Sequence, residues 1–249
     1  MEGHQLKLHV LVKPEHFGSI PFAVVENQIF AALPPELPED GYSLVVFTEQ
    51  GRSKTLLEDM GEIRGLTADP TGRLWWLKCI PRYDVDYSCE SVELWFVDPM
   101  ASRPKPVQKE TLENITNPIA FAVNSHGELA LTDFKAVNES VIIARGNQYT
   151  YTGVVAGGIA VDDNGTVFYV LPYDFEGWIF WATSSVTTGL CSVDPTTMIP
   201  PLSIALDSSS KTFCYPNFNN RGLNCFKYDP LSDVRGVVAA VTVPRWTTK

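Results

Sequence analysis

The stretch Gly65–Cys79, "GLTADPTGRLWWLKC", decides the fold. A short apolar run meets the turn Asp69-Pro70-Thr71-Gly72, and an aromatic-rich run, Leu74–Leu77, follows. Asp bonds its own backbone two residues on, and Gly takes positive φ without a steric penalty, so the stretch reads as a β-hairpin. Four further segments repeat the pattern: "PFAVVENQIFAAL" from Pro21, "IAFAVNSHGELAL" from Ile119, "GGIAVDDNGTVFYV" from Gly157 and "LSIALDSSSKTFCY" from Leu202. Their turns are Glu26-Asn27, Asn124 to Gly127, Asp162 to Gly165 and Asp207 to Ser210. Aligned on the turn, the units recur about every 40–55 residues, a spacing that fits propeller blades.

A third apolar run follows each hairpin: "YSLVVF", "VELWFV", "SVIIA", "GWIFWA" and "LNCFKY". A fourth follows four of them: "KTLLE", "KPVQKE", "YTYTGVVA" and "VRGVVAAV". No amphipathic helix is legible, and Pro and Gly are scattered throughout, as many short strands require. Each unit therefore reads as an antiparallel sheet of about four strands, which cannot bury its faces alone. Radial packing of several such sheets buries both faces and leaves short edges. The expected fold is all-β: a single β-propeller over residues 1–249, with five blades, or six if a degenerate unit lies between Glu90 and Asn117. The N-terminal run Leu6–Val12 has no blade of its own and is expected to close the last one.

Bulk properties narrow the function classes. The chain is 45% hydrophobic and 19% charged, the composition of a globular protein. A net charge of −10 leaves no basic stripe to neutralise phosphates, so no nucleic-acid partner is expected. No apolar run approaches the roughly 20 residues of a membrane helix. "MEGHQLKLHVLVKPEH" lacks a signal-peptide apolar core. Three acceptor sequons, at Asn114, Asn138 and Asn164, and two cysteine pairs nonetheless point to the secretory pathway or the cell exterior.

The segments "GLTADPTGRLWWL" and "GGIAVDDNGTVFYV" resemble the G-aliphatic-x-x-D-x-x-G-x-aromatic repeats of the gluconolactonase, strictosidine-synthase and NHL-type propellers. The resemblance covers most of the chain as a repeat pattern. It implies a site at the rim where the innermost strands begin and the loops between second and third strands open. Those loops are "PPELPEDGY", "CIPRYDVDYSC", "FKAVNES", "PYDFEGW" and "YPNFNNRGLNC". Their aromatics Tyr83, Tyr87, Tyr173, Phe175, Trp178, Tyr215 and Phe218 are the candidate substrate-binding residues. Arg64, Asn117 and Lys135, at strand starts or in rim loops, are the candidate catalytic donors. Trp75, Trp76, Trp95 and Trp181 lie within strands and are expected in the core. Cys79 with Cys89, and Cys214 with Cys225, flank two rim loops and are the expected disulfides, with Cys191 left free.

The metal-dependent lactonases of this superfamily hold a divalent cation with a Glu, two Asn and an Asp. Here "SIPFAVV" lacks the expected Glu-Gly-Pro, "AGGIAV" and "PLSIAL" lack a carboxylate, and only Asn117 in "NPIAFAV" matches. No metal and no other cofactor is therefore expected. No Gly-x-Ser-x-Gly elbow, zinc helix motif or phosphate loop is present, and His126 falls in a hairpin turn. The expected activity is metal-independent cyclisation or condensation of a mostly apolar organic molecule in secondary metabolism, the work of pericyclases such as hetero-Diels–Alderases. A lactonase-like hydrolase and a non-catalytic small-ligand or sugar-binding propeller are the alternatives.

Overall fold

The computed structural model describes residues 21–26, 28–35, 41–47, 52–82, 88–113, 115–136, 139–144, 148–151, 158–170, 178–182, 187–192, 205–207, 212–217, 222–227 and 240–242. Every regular element among them is a strand. The strands form five four-stranded antiparallel sheets, and in each the strands follow one another in chain order. The first comprises β1 (Phe22–Val25), β2 (Gln28–Leu33), β3 (Ser43–Phe47) and β4 (Ser53–Leu57). The second comprises β5 (Glu62–Ala68), β6 (Leu74–Pro81), β7 (Cys89–Val97) and β8 (Val107–Leu112). The third is β9 (Pro118–Val123), β10 (Leu129–Ala136), β11 (Glu139–Ala144) and β12 (Gln148–Tyr151). The fourth is β13 (Gly158–Val161), β14 (Val167–Val170), β15 (Trp178–Ala182) and β16 (Thr187–Ser192). The fifth is β17 (Ala205–Asp207), β18 (Thr212–Asn217), β19 (Gly222–Lys227) and β20 (Ala240–Thr242). The fourth sheet thus has a last strand, β16, that the sequence pattern does not announce. The N-terminal run Leu6–Val12 lies outside the described residues.

The chain divides into two compact units, Met1–Thr116 and Asn117–Lys249. In the first, β1 packs on β5. Period-two alternation turns Ala23 and Val25 inward and leaves Phe22 and Val24 exposed. The buried face continues through Phe30, Ala32, Leu44, Ile63, Leu66, Leu74 and Trp76 as one apolar cluster. Trp76 stacks on Trp95 with ring centroids 6.2 Å apart, and Trp75, 1% exposed, packs against Phe96 at 4.7 Å. These three tryptophans lie where the sequence puts them; the side chain of Trp181 lies outside the described residues. In the second unit β13 packs on β9 and β17, and Ala130, Ile159, Val161, Val167 and Tyr169 make the core.

The first hairpin of the second, third and fourth sheets is built by one recipe. Asp69 Oδ1 accepts the N–H of Thr71 at 2.8 Å and of Arg73 at 3.1 Å. Asn124 Oδ1 accepts the N–H of His126 at 3.1 Å and of Glu128 at 2.9 Å. Asp162 Oδ1 accepts the N–H of Asn164 at 2.9 Å and of Thr166 at 2.8 Å. Each turn closes with a glycine at positive φ: Gly72 at 87°, Gly127 at 77° and Gly165 at 76°. That region is open to glycine at no steric cost. The first sheet departs from the recipe, with Val25 paired to Gln28 and Glu26 itself at φ 53°.

The opposite end of the first unit has its own repeated link. Tyr42, just before β3, donates its N–H to Gly61 O at 3.0 Å. Cys89, opening β7, donates its N–H to Thr116 O at 2.7 Å. In both cases the start of a third strand is tied to the segment leading out of its own sheet, which fixes the end of the sheet where loops between second and third strands emerge.

Candidate functional site

At that end of the second sheet, Arg64 sits on β5 at a bulge. Ile63 pairs with Lys78 and Gly65 with Leu77, so Arg64 is the residue the register skips. A bulge re-aims a side chain and recurs beside functional sites. The Arg64 guanidinium is 2.7 Å from Glu62 Oε1, and both side chains stay partly open to solvent. Tyr42 joins them. Burial first, and the Glu62 carboxylate second, push its phenol above the ordinary tyrosine value against the opposing pull of Arg64. The phenol is therefore a neutral O–H donor at any physiological pH. Neither Tyr42 nor Glu62 is singled out by sequence reasoning: Tyr42 reads as the edge of the run "YSLVVF", and Glu62 as one charge beside a turn.

The rim loop beyond is fastened at its base. Cys79 and Cys89 form a disulfide with Cα atoms 5.4 Å apart, as expected. Arg82 donates its N–H to Ser88 O at 3.0 Å, one step further along. Tyr83 and Tyr87 lie between these anchors, outside the described residues. Lys78 lies 3.7 Å from Glu93 and 5.7 Å from the Trp95 ring, and Trp95 Nε1 donates to Glu93 at 2.9 Å. These charges stiffen the strand pair that carries the disulfide.

In the second unit, Asn117 immediately precedes β9. Its N–H donates to Asp133 Oδ1 at 2.6 Å, and Asp133 is fully buried. Asp133 is a second functional-type residue the sequence conceals, since one Asp inside the run "LALTDFKA" carries no signal. Lys135 is two residues further along β10, and the expectation of a loop there needs correction. β10 runs to Ala136 and pairs Phe134 with Ser140 and Ala136 with Glu139, leaving Lys135 at a bulge. Trp178 opens β15 opposite Ser192, and Tyr215 lies inside β18 opposite Asn224, each within the apolar run that borders its loop. In each case the ladder continues because backbone groups that leave it need other partners. Cys214 stands directly opposite Cys225, and Cys191 lies on β16 opposite Ile179. Tyr173, Phe175 and Phe218, with the sequons at Asn114 and Asn138, lie outside the described residues; Asn164 is exposed in its turn.

The structure thus brings Arg64 together with Glu62, Tyr42 and the disulfide in one unit, and Asn117 with Asp133 and Lys135 at one sheet end in the other. Among the described residues, no group of three or more His, Cys, Asp or Glu is placed to hold a metal ion. No described helix is long and apolar enough to cross a membrane.

No family model and no curated protein matches the chain. Solved structures do. A chain of a nidogen/laminin complex superposes with a TM-score of 0.55 at 14% identity, over 84% of this chain and 75% of that one. Virginiamycin B lyase from Staphylococcus aureus superposes at 0.49 and 13% identity, over 84% of this chain and 82% of that one. The likeness is one of fold alone, that of a β-propeller.

Proposed function

We propose that the end of the second sheet where β5 begins forms a small-molecule site, at which the chain binds a mostly apolar organic substrate and promotes its metal-independent cyclisation or condensation. The observation that carries this reading is the Tyr42–Glu62–Arg64 group beside the Cys79–Cys89 anchor. A neutral phenol and a guanidinium held by a carboxylate are fixed donors, suited to a carbonyl oxygen as negative charge develops on it. Aromatic side chains on the anchored loop, Tyr83 and Tyr87, would supply flat apolar contact at low entropic cost. In the second unit Tyr173, Phe175, Trp178, Tyr215 and Phe218 remain the candidate substrate contacts in this reading, and Asn117 and Lys135 the candidate donors. Asn117 would act with its amide, its backbone N–H being committed to Asp133.

The same reading takes the five sheets as blades of one ring closed by Leu6–Val12. It also takes Cys214 and Cys225 as a second disulfide. Opposed residues of an antiparallel pair lie about 4.5–5.5 Å apart at Cα, inside the range a disulfide spans. An oxidising compartment follows from those bridges.

The test is turnover of a panel of conjugated enones and polyenes with EDTA present, measured below the unfolding temperature. Saturable turnover is expected, with kcat/KM lowered about 100–1,000-fold in Arg64→Ala, the loss typical of one electrostatic donor. Turnover abolished by EDTA and restored by a divalent ion would favour a lactonase-like hydrolase. Saturable binding without turnover would favour a binding propeller.

A further inference from the structure

The three hairpin turns share a backbone recipe but treat the second side-chain δ atom differently. In the first turn Asp69 Oδ2 accepts Arg73 Nε at 2.7 Å and Trp75 Nε1 at 2.8 Å, so the buried carboxylate has a cation beside it. In the second, Asn124 Nδ2 donates to Glu128 Oε2 at 2.7 Å and to the backbone oxygen of Asp162 at 3.1 Å. The second of these bonds reaches the next sheet, to the residue holding the same place in its own turn. In the third, Asp162 is 1% exposed, and its Oδ2 has no hydrogen-bond partner among the described residues. The positions filled by Arg73 and Trp75 are here Thr166 and Phe168, which bring no charge.

The Asn124 geometry says where that oxygen points. The three residues accept the same pair of N–H groups on Oδ1, so their δ2 atoms leave in the same direction. For Asn124 that direction ends on the carbonyl of the next turn's first residue. For Asp162 the corresponding residue is Asp207, the last of β17, a strand that packs on β13. An amide facing a carbonyl makes a hydrogen bond, but a carboxylate oxygen facing a carbonyl makes none. A buried charge is stable only when paired or bound to a metal. A carboxylate and a backbone carbonyl, both hard oxygen donors, with water completing the shell, suit calcium.

We propose that Asp162 Oδ2 and the backbone carbonyl of Asp207 are two ligands of a calcium ion that joins the fourth and fifth sheets at their turn ends. This lies at the end of the fourth sheet away from the loop between β14 and β15, so the ion stabilises the fold and takes no part in chemistry at the other end. Neither the G-aliphatic-x-x-D-x-x-G-x-aromatic repeat nor the lactonase ligand set contains this pairing.

The experiment is thermal unfolding of the full chain in calcium chloride and in EDTA at matched ionic strength, with calcium binding measured in parallel by equilibrium dialysis. Asp162→Asn is the informative variant, because Asn124 shows that an amide fits this turn. The wild type should gain about 3–6 °C at ten times its dissociation constant. Asp162→Asn should fold, lose that gain and lose a single calcium equivalent in dialysis. A wild type indifferent to calcium, or a variant that gains as much and binds as much, overturns the proposal.

Discussion

The turns at Asp69 and Asp162 are the same object up to one atom. Both close on Oδ1 through the N–H groups two and four residues on, and both end on a glycine at positive φ. Around Asp69 the second oxygen is enclosed by its own strand: Arg73 and Trp75 fold back to it, and Arg73 also lies 5.4 Å over the Trp75 ring. Around Asp162 no described residue of its own strand reaches the second oxygen. A turn that satisfies itself is a finished structural part. A turn that leaves a buried acceptor over is completed from outside, by its neighbour or by a bound species. The backbone recipe forms the hairpin, and residues four and six places on decide whether the hairpin is self-sufficient.

The largest effect should come from removing the self-sufficient network. Asp69→Ala strands two backbone N–H groups, the Thr71 hydroxyl and the Trp75 indole, and leaves Arg73 without its counter-charge. Breaking a buried pair in this way costs about 3–5 kcal/mol, measurable by urea unfolding. A loss under about 1 kcal/mol would mean that Arg73 and Trp75 find other acceptors, and the contrast with Asp162 would collapse.

Asp69→Asn is gentler and adds a pH readout. Burial pushes the Asp69 carboxyl up, but the bonds from Thr71, Trp75 and Arg73 outweigh it and hold the group below the ordinary carboxylate value. A carboxylate whose folded value is depressed contributes stability above its unfolded value, near pH 4, and that contribution is lost as the pH falls through the folded value. The amide should cost about 1.5–3 kcal/mol at pH 7. Its unfolding free energy should then fall less than the wild type's between about pH 4 and pH 2. An acid limb of the same depth in both proteins would assign it to other carboxylates.

What was legible in the sequence follows the same division. The hairpins of the second, third and fourth sheets were legible because Asp or Asn followed three residues later by Gly is a local signal, and it lies in one short window each time. The Cys79–Cys89 bridge was legible for the same reason. β16 was not, because "TTGLCS" is small, mixed and interrupted by Gly189, and only pairing with β15 makes it a strand. The polar group at the rim was half legible. Arg64 stood out as a charge at a strand start, with Glu62 two residues before it, but Tyr42 joins them from a separate sheet, and no short sequence window spans all three. Asp133 was hidden because its role depends on Asn117, sixteen residues away. The bulges that carry Arg64 and Lys135 are properties of register between two strands, invisible in either strand alone.

The glycine of the Asp69 turn offers a smaller, sharper cut. Gly72 lies at φ 87°, and a Cβ there would come within 3.3 Å of Val25 Cγ1 on the first sheet. Gly72→Ala should cost about 1–2 kcal/mol from the left-handed backbone, with a further increment only if Val25 cannot yield. Pairing it with Val25→Ala separates the two contributions. If the double variant recovers nothing, all of the cost is backbone strain, and the turn's contact with the first sheet adds no stability.

The smallest expected effect is also the one that most directly joins the two turns. In calcium-free buffer with EDTA, Asp162→Asn exchanges a buried carboxylate oxygen without a described partner for an amide N–H that, in the proposed arrangement, faces the Asp207 carbonyl. The Asn124 amide already makes the corresponding bond to Asp162 O at 3.1 Å. Oδ1 of the new amide keeps the two turn bonds, so nothing in the hairpin is lost. The net gain of one neutral hydrogen bond is about 0.5–1.5 kcal/mol, and removing a buried charge adds to the same side. Asp162→Asn should therefore be slightly more stable than the wild type under these conditions, while Asp69→Asn is less stable by more. One substitution, made at equivalent places in the same turn, should have opposite signs. A loss at both places would show that Asp162, like Asp69, has its second oxygen met by donors within the chain, and that its turn, too, is complete in itself.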